Sequence, residues 1–392
     1  MRDQGPRRAR NLLLTLGIAW GFTGCSSAHP GAPPPDAGPH AEAAAGSDSG
    51  DAGDGGAPSD GGADARVVNG TPATFNVFSE IPQFGIYTST NPDYTPPAGV
   101  LMWSYGTVFV TRLTTLEQSE IGSDLAARVT FIAQCDNYDR LGGLFFVVEP
   151  KGQMPQPTDA RTEIVRFITP FSDYTERALA THVYPDADIS TYAQALADTS
   201  HDVWIGLAGG SNPYSGDPCV ALDAGSAFSA VGFKYSVDFV STKTLTLAPS
   251  VTLTAVSDLS ETTVPIKGTF MNGSGPLEGH VTVIISGHGS GAGGDEYEYT
   301  EDRLTVNGTQ AGAFSTEINC AGYAKYSPDG NPGIFENNTT DNPRNWCPGA
   351  IVPSHTFPVT LNAGSNTVSL GITPPAVPSG SYFATSINFT SP

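Results

Sequence analysis

Helical periodicity is almost absent from this 392-residue chain, so apolar positions recurring every three or four residues do not organise its core. Helix bundles, helical solenoids and coiled coils are thereby excluded. Basic residues are scarce, 18 against 39 acidic ones, for a net charge of −21. Four of the 18, Arg2, Arg7, Arg8 and Arg10, fall in the first ten positions, which leaves the remainder more acidic still. There is no basic patch and no interleaving of aromatic with basic residues, which excludes nucleic acid as a partner. Such acidity suits an exported surface protein and says little about fold. Histidines number seven, without a His-x-His pair, and Met102, Met154 and Met271 lie near no clustered pair of them. No metal-ligand set, and no cofactor motif, is legible.

Turn formers are abundant instead: 45 Gly and 32 Pro, with Thr, Val, Ser and Tyr recurring in short runs. That composition predicts an all-β chain. Candidate strands include 82–89, 106–113, 127–134, 142–149, 162–169, 201–208 and 233–242, then 243–256, 263–272, 280–289, 302–309, 355–364, 366–373 and 379–390. Short alternating strands at this spacing argue for sandwiches or barrels. STYAQALAD (190–198) reads as one short helical turn. A division near 242–248 gives an N-terminal domain of 66–244 and a C-terminal domain of 245–392.

The first 25 residues read as an export signal: arginines, the apolar run LLLTLGIAWGF (12–22), then Thr23-Gly24-Cys25. The run is too short to cross a membrane as a finished helix. Small residues before a cysteine resemble a bacterial lipoprotein cleavage site, at which Cys25 carries lipid; the competing reading is ordinary cleavage with Cys25 removed or idle. The chain is then lipid-anchored at the outer membrane or cell surface, or secreted. Residues 26–65, rich in Ala, Gly, Pro and Asp, hold almost nothing to bury and read as a disordered tether.

Three segments carry candidate chemistry. The first, Cys135-Asp136-Asn137-Tyr138-Asp139-Arg140, ends one strand and opens the next. Alternation puts Asp139 with Asn137, and Arg140 with Tyr138 and Asp136. An acid beside an arginine and an aromatic suits a polar pocket; a turn with a solvated ion pair is the plainer reading. The second is GSGAGGDEYEYTEDRLTVNG (289–308), where five acids crowd one short stretch. Clustered carboxylates shift one another's pKa and serve acid–base work, or simply make an acidic surface. The third is the irregular segment from Cys320 to Cys347, closing on Asn-Trp-Cys-Pro-Gly. In an exported protein Cys320 and Cys347 should pair, either as a structural staple or as the support of a loop wall beside a site. Cys135 and Cys219 are left over; if they join, they pin the Asp139 segment to the insertion at 209–219.

CDNYDR (135–140), EIVRFITPF (163–171), KYSVDF (234–239), VIISGHG (283–289), the acidic segment and NWCPGAIVP (345–353) occur in that order. This ordered set resembles the peptide-N-glycosidase F family. The resemblance implies two eight-stranded antiparallel jelly rolls side by side, with the site between them. It implies an amidohydrolase that cleaves the bond between an asparagine side chain and the first N-acetylglucosamine of an N-glycan, in glycoproteins or glycopeptides. The family's principal catalytic acid falls on Asp139, its neighbours on Arg140 and Tyr138, and a second acid on Glu296. His288 and Trp346 fall beside the cleft, the family's loop arginine one position from Arg344, and its closing disulfide on Cys320 and Cys347. The resemblance implies no cofactor, and the chain reads as a monomer. The family's third acid precedes YSVDF; here that region reads VWIGLAGGSNPYSG, without glutamate. The competing functions are a glycan-binding surface protein with the same fold and, far less supported, a copper monooxygenase. His280 and His288 stand at opposite ends of one strand, about 26 Å apart if extended.

Overall fold

The computed structural model describes residues 66–391, except 69–71, 86–89, 137, 173–180, 212–230, 274, 289–297, 328–343 and 374–381. Cys25, the tether, Cys219 and Glu296 lie outside the described residues. Antiparallel strands dominate and make two sandwiches.

In the N-terminal sandwich a six-stranded sheet faces a five-stranded one. The first runs in the order Ile351–Val352, Thr162–Ile168, Leu141–Pro150, His201–Gly209, Val108–Arg112, Val100–Trp103. The second runs Ala73–Gln83, Phe233–Thr242, Asp124–Ala133, Thr181–Val183, with Ala187–Asp188 also paired to Asp124–Ala133. Strict alternation builds the inner face of the second sheet. Leu125, Ala127, Val129, Phe131 and Ala133 are buried along one strand, Phe233, Tyr235, Val237 and Phe239 along its neighbour. Phe109, Phe146, Phe167, Ile205 and Leu207 meet them from the first sheet. Each such ring buried contributes roughly 2–3 kcal/mol. Gly142 is required by this packing, because a Cβ there would sit 2.2 Å from the Phe167 ring.

The C-terminal sandwich has two four-stranded sheets. One runs Thr252–Glu261, Tyr382–Thr390, Leu277–His288, Ser354–Leu361; the other Ile266–Asn272, Gly364–Thr373, Glu301–Val306, Thr309–Ser315. Its core is mainly aliphatic, with Ile266, Val281, Val283, Ile285, Leu304, Leu370 and Ile387 around Phe270 and Phe389.

Several elements depart from the sequence reading. Strand Ala73–Gln83 starts well before the expected 82–89, of which 86–89 lie outside the described residues. Two register shifts against Phe233–Thr242 break its alternation, and Glu80 takes a left-handed φ of 46°. Strand Leu245–Leu247, on the C-terminal side of the expected division, pairs with Arg66–Val68 and packs Leu245 into the N-terminal core. The helical turn at 190–198 is present as Ser190–Tyr192 and Ala193–Ala197. A second helix, Thr115–Glu120, starts on a capping box between Thr114 and Glu117.

The sandwiches are joined along Thr162–Ile168. Arg166 has no exposure at all, yet lies at this seam. It donates to Glu163 (2.9 and 2.6 Å), to the Ser286 hydroxyl (3.2 Å) and to the Ala384 carbonyl of the C-terminal sandwich. Asn388 donates to the Glu163 carbonyl at 2.9 Å. A buried guanidinium survives because every direction it points in offers an acceptor.

Candidate active site

The turn after strand Asp124–Ala133 is fixed by its buried ends. The Cys135 and Asp136 amides donate to the Val231 and Gly232 carbonyls at 3.1 and 3.2 Å. Cys135 is disulfide-bonded, with its partner outside the described residues, where the expected Cys219 lies. Asp136 is completely buried and accepts from Arg140 Nε (2.8 Å), Arg140 Nη2 (3.2 Å) and the Tyr138 amide (3.0 Å). The expected alternation of Arg140 with Asp136 therefore appears as a two-point ion pair, and the arginine's Nε and Nη2 point to Asp136. Tyr138 is 40 % exposed, with its ring 6.0 Å from Phe171 and 5.3 Å from the Arg140 guanidinium carbon. Asp139, half-buried, stands between these two residues.

Thr169, from the FITP stretch, fastens the turn to the neighbouring strand. It takes the Arg140 amide on its hydroxyl (2.6 Å), donates that hydroxyl to the Tyr138 carbonyl (3.0 Å) and donates its own amide to the Arg140 carbonyl (2.9 Å). No role for Thr169 or Asp136 follows from residue type alone. Their only signal is membership of the motifs CDNYDR and FITP.

The Cys-Pro-Gly segment arrives at the same place. Gly349 donates to the Ile168 carbonyl and Ile168 to the Ala350 carbonyl, both at 3.0 Å, and Ile351–Val352 extends the sheet beyond Arg166 and Phe167. Cys320 and Cys347 are joined, 27 residues apart in sequence. On its other side the segment holds the C-terminal sandwich. Asn345 accepts the Gly287 amide at 2.8 Å, and Trp346 Nε1 donates to the Gly287 carbonyl at 2.6 Å. His182 fastens it from below, with Nε2 2.8 Å from the Gly349 carbonyl.

Three residues expected beside the cleft are buried. Trp346 is 3 % exposed, packed on Ile168, Ile284 and Val352. Arg344 is fully buried, its guanidinium carbon 5.1 Å from the Trp346 ring. His288 is 8 % exposed, stacked between Trp346 and Tyr382 at 5.5 and 5.3 Å, with Nε2 2.8 Å from the Ser286 hydroxyl. Burial first, and then Arg166, push its pKa down to about 3, so the ring is neutral. These side chains pack against one another at the seam. Trp204, 7 % exposed, lies towards the other end of its strand, beside a cavity of about 460 Å³ that it lines with Arg112, Glu117 and Asp202.

In the acidic segment, Glu298 and Glu301 are exposed, while Asp302 is buried to 2 %. Burial, reinforced by Glu301 and eased by Thr300, raises the Asp302 pKa to about 7. Sequence reasoning passed over this residue, although counting back by twos from Leu304 and Val306 turns it inward.

Two sandwiches side by side, bridged by a disulfide-closed loop, define a double jelly-roll protein. Residues 262–390 match the family model described as Peptide-N-glycosidase F, C terminal. That match covers about a third of the chain and, together with the fold, supports a likeness to the peptide-N-glycosidase F family. No curated protein sequence matches it. Among solved structures it is similar to PNGF-II (20 % identity, TM-score 0.59), with 82 % of this chain covering 65 % of that one. The chain thus spans just under two thirds of PNGF-II. It is also similar to peptide-N(4)-(N-acetyl-β-D-glucosaminyl) asparagine amidase (14 % identity, TM-score 0.51, covering 82 % of this chain and 96 % of that one). A third is PNGase F, described as a glycosylasparaginase from Flavobacterium meningosepticum (15 % identity, TM-score 0.51, 82 % and 96 %). At these identities the structural likeness is one of fold.

Proposed function

We propose that this chain is an amidohydrolase of the peptide-N-glycosidase F type, cleaving the asparagine–N-acetylglucosamine amide of N-glycoproteins or glycopeptides. One observation carries the reading. Thr169 ties the Tyr138–Arg140 turn to the strand end that also receives the Cys-Pro-Gly loop, so CDNYDR, FITP and WCPG, distant in sequence, converge at the seam of the sandwiches. In this reading Asp139 takes a proton from water, whose oxygen attacks the amide carbon. The carbon–nitrogen bond then breaks, and the leaving nitrogen takes up a proton as the glycosylamine, leaving aspartate. Glu296 positions or protonates that nitrogen. Tyr138 and Arg140 meet substrate directly, whereas His288, Arg344 and Trp346 hold the wall behind it. Cys25 anchors the enzyme by lipid through the 26–65 tether, and the enzyme acts as a monomer without a cofactor. Among the described residues, no helix is long and apolar enough to cross a membrane.

The test is incubation with a denatured N-glycoprotein. Glycan release with conversion of asparagine to aspartate is expected, and Asp139→Asn should abolish it while leaving the thermal midpoint in place. A turning-over Asn variant refutes the assignment. A second reading, glycan binding without cleavage, is favoured by strand His201–Gly209, which lacks the glutamate of the family's third acid. Retention of glycoprotein without release would select it.

A further inference from the structure

We propose that Asp136 is a positioning residue for the hydrolysis, one that aims and electrically balances Arg140 around Asp139; this rests on the amidohydrolase reading above. Three observations carry it. The Asp136 carboxylate has no exposure, a costly state for an anion unless it is fully engaged. It is engaged on both flanks of the candidate base: the Tyr138 amide at 3.0 Å on one side, Arg140 Nε and Nη2 at 2.8 and 3.2 Å on the other. Asp139 is thus the crown of a three-residue arch with both feet tied to one buried group. A turn whose only task was to reverse the chain would need the Tyr138 amide contact alone. Here both carboxylate oxygens also grip the guanidinium, which stays 17 % exposed.

The charge consequence is separate from the geometric one. A bare guanidinium next to Asp139 would stabilise its carboxylate and make it a weaker base. Pairing Arg140 with Asp136 offsets that field at close range. Among the described residues, Tyr235 of the neighbouring strand also feels the Asp136 charge. It is fully buried, and its phenol is held well above its usual pKa, by burial first and Asp136 second, so it stays neutral and adds no charge.

Asp136→Asn in the full chain keeps the shape and removes the charge. The expected result is a fall in kcat of about 10²-fold with KM within about threefold, since small misplacements of a reacting group cost rates of that order. The acid limb of the kcat/KM profile should move to lower pH by about one unit as the uncompensated Arg140 acts on Asp139. The double variant Asp136→Asn with Arg140→Gln, which removes both charges of the pair, should return that limb to its wild-type position. It also serves if the single variant fails to fold. An unmoved limb, or a loss confined to KM, overturns the proposal, however much stability falls. If the wild-type protein releases no glycan, the amidohydrolase reading fails on its own. The Arg140 Nε–H resonance then judges Asp136: faster solvent exchange in Asp136→Asn supports the aiming role, and unchanged exchange overturns it.

Discussion

Replacing Asp302 with asparagine should change how the C-terminal sandwich responds to alkali. Asp302 sits on strand Glu301–Val306, opposite Phe314 and Ile372, and neither carboxyl oxygen has a hydrogen-bond partner of good geometry among the described residues. Its pKa rises from 3.8 to about 7. An acid with a raised folded pKa binds more protons folded than unfolded, so stability is lost as pH climbs from about 4 and levels off above about 7. The rise corresponds to about 4 kcal/mol as a ceiling, at 1.36 kcal/mol per pKa unit. Asp302→Asn removes the titration at nearly constant volume. At pH 8 the variant should therefore be more stable than wild type by about 2–4 kcal/mol, and at pH 4 the two should be equal. Urea melts followed by tryptophan fluorescence would read this, because Trp346 packs where the sandwiches meet. A wild-type protein whose midpoint does not fall between pH 4 and 8 relative to the variant would refute the reasoning.

His288 should show the opposite slope. Its pKa of about 3 lies below the 6.5 of a free imidazole, so stability is lost as pH falls from about 6.5 towards 3, by about 4–5 kcal/mol in full; His288→Gln should flatten that acid limb in the same melts. Replacing Cys320 and Cys347 with serine opens a closure of 27 residues and should cost about 3.5 kcal/mol, read as a lower urea midpoint than in the unreduced wild type. Arg166→Ala leaves the half-buried Glu163 and the buried Ala384 carbonyl without their cation, and should destabilise by about 3–5 kcal/mol; a calorimetric scan showing no loss would remove Arg166 from the account of the seam.

Much of this architecture was legible in period-two alternation. The strands around 127–134 and 233–242 announce themselves because one face of each is buried at nearly every second residue. Strand Ala73–Gln83 hid because its bulges move apolar residues out of step. Helix Thr115–Glu120 was legible after all in the Thr114–Glu117 spacing of a capping box, although six residues are too few to show helical periodicity. At the candidate site the motifs marked segments that meet in the fold, but not the direction of each side chain. Trp346 reads as a cleft residue from its loop context and Arg344 from the family resemblance, and only tertiary packing reveals that both are buried. Alternation did place Arg140 with Asp136, but gave no sign of the depth of that carboxylate, which draws the guanidinium into a two-point ion pair. Asp302 was lost among exposed acids because composition says nothing about which of two faces a residue takes.

The strand Tyr382–Thr390 occupies the middle of its sheet, between Thr252–Glu261 and Leu277–His288. Those two neighbours are made more than ninety residues earlier and have no ladder partner for their facing sides until it is in place. A nascent chain halted short of residue 382 therefore presents two bare β edges, and Arg166 lacks the Ala384 carbonyl that receives it. Closure of this half waits on the ribosome reaching its final strand, and the interval before it is when a chaperone has the most to hold.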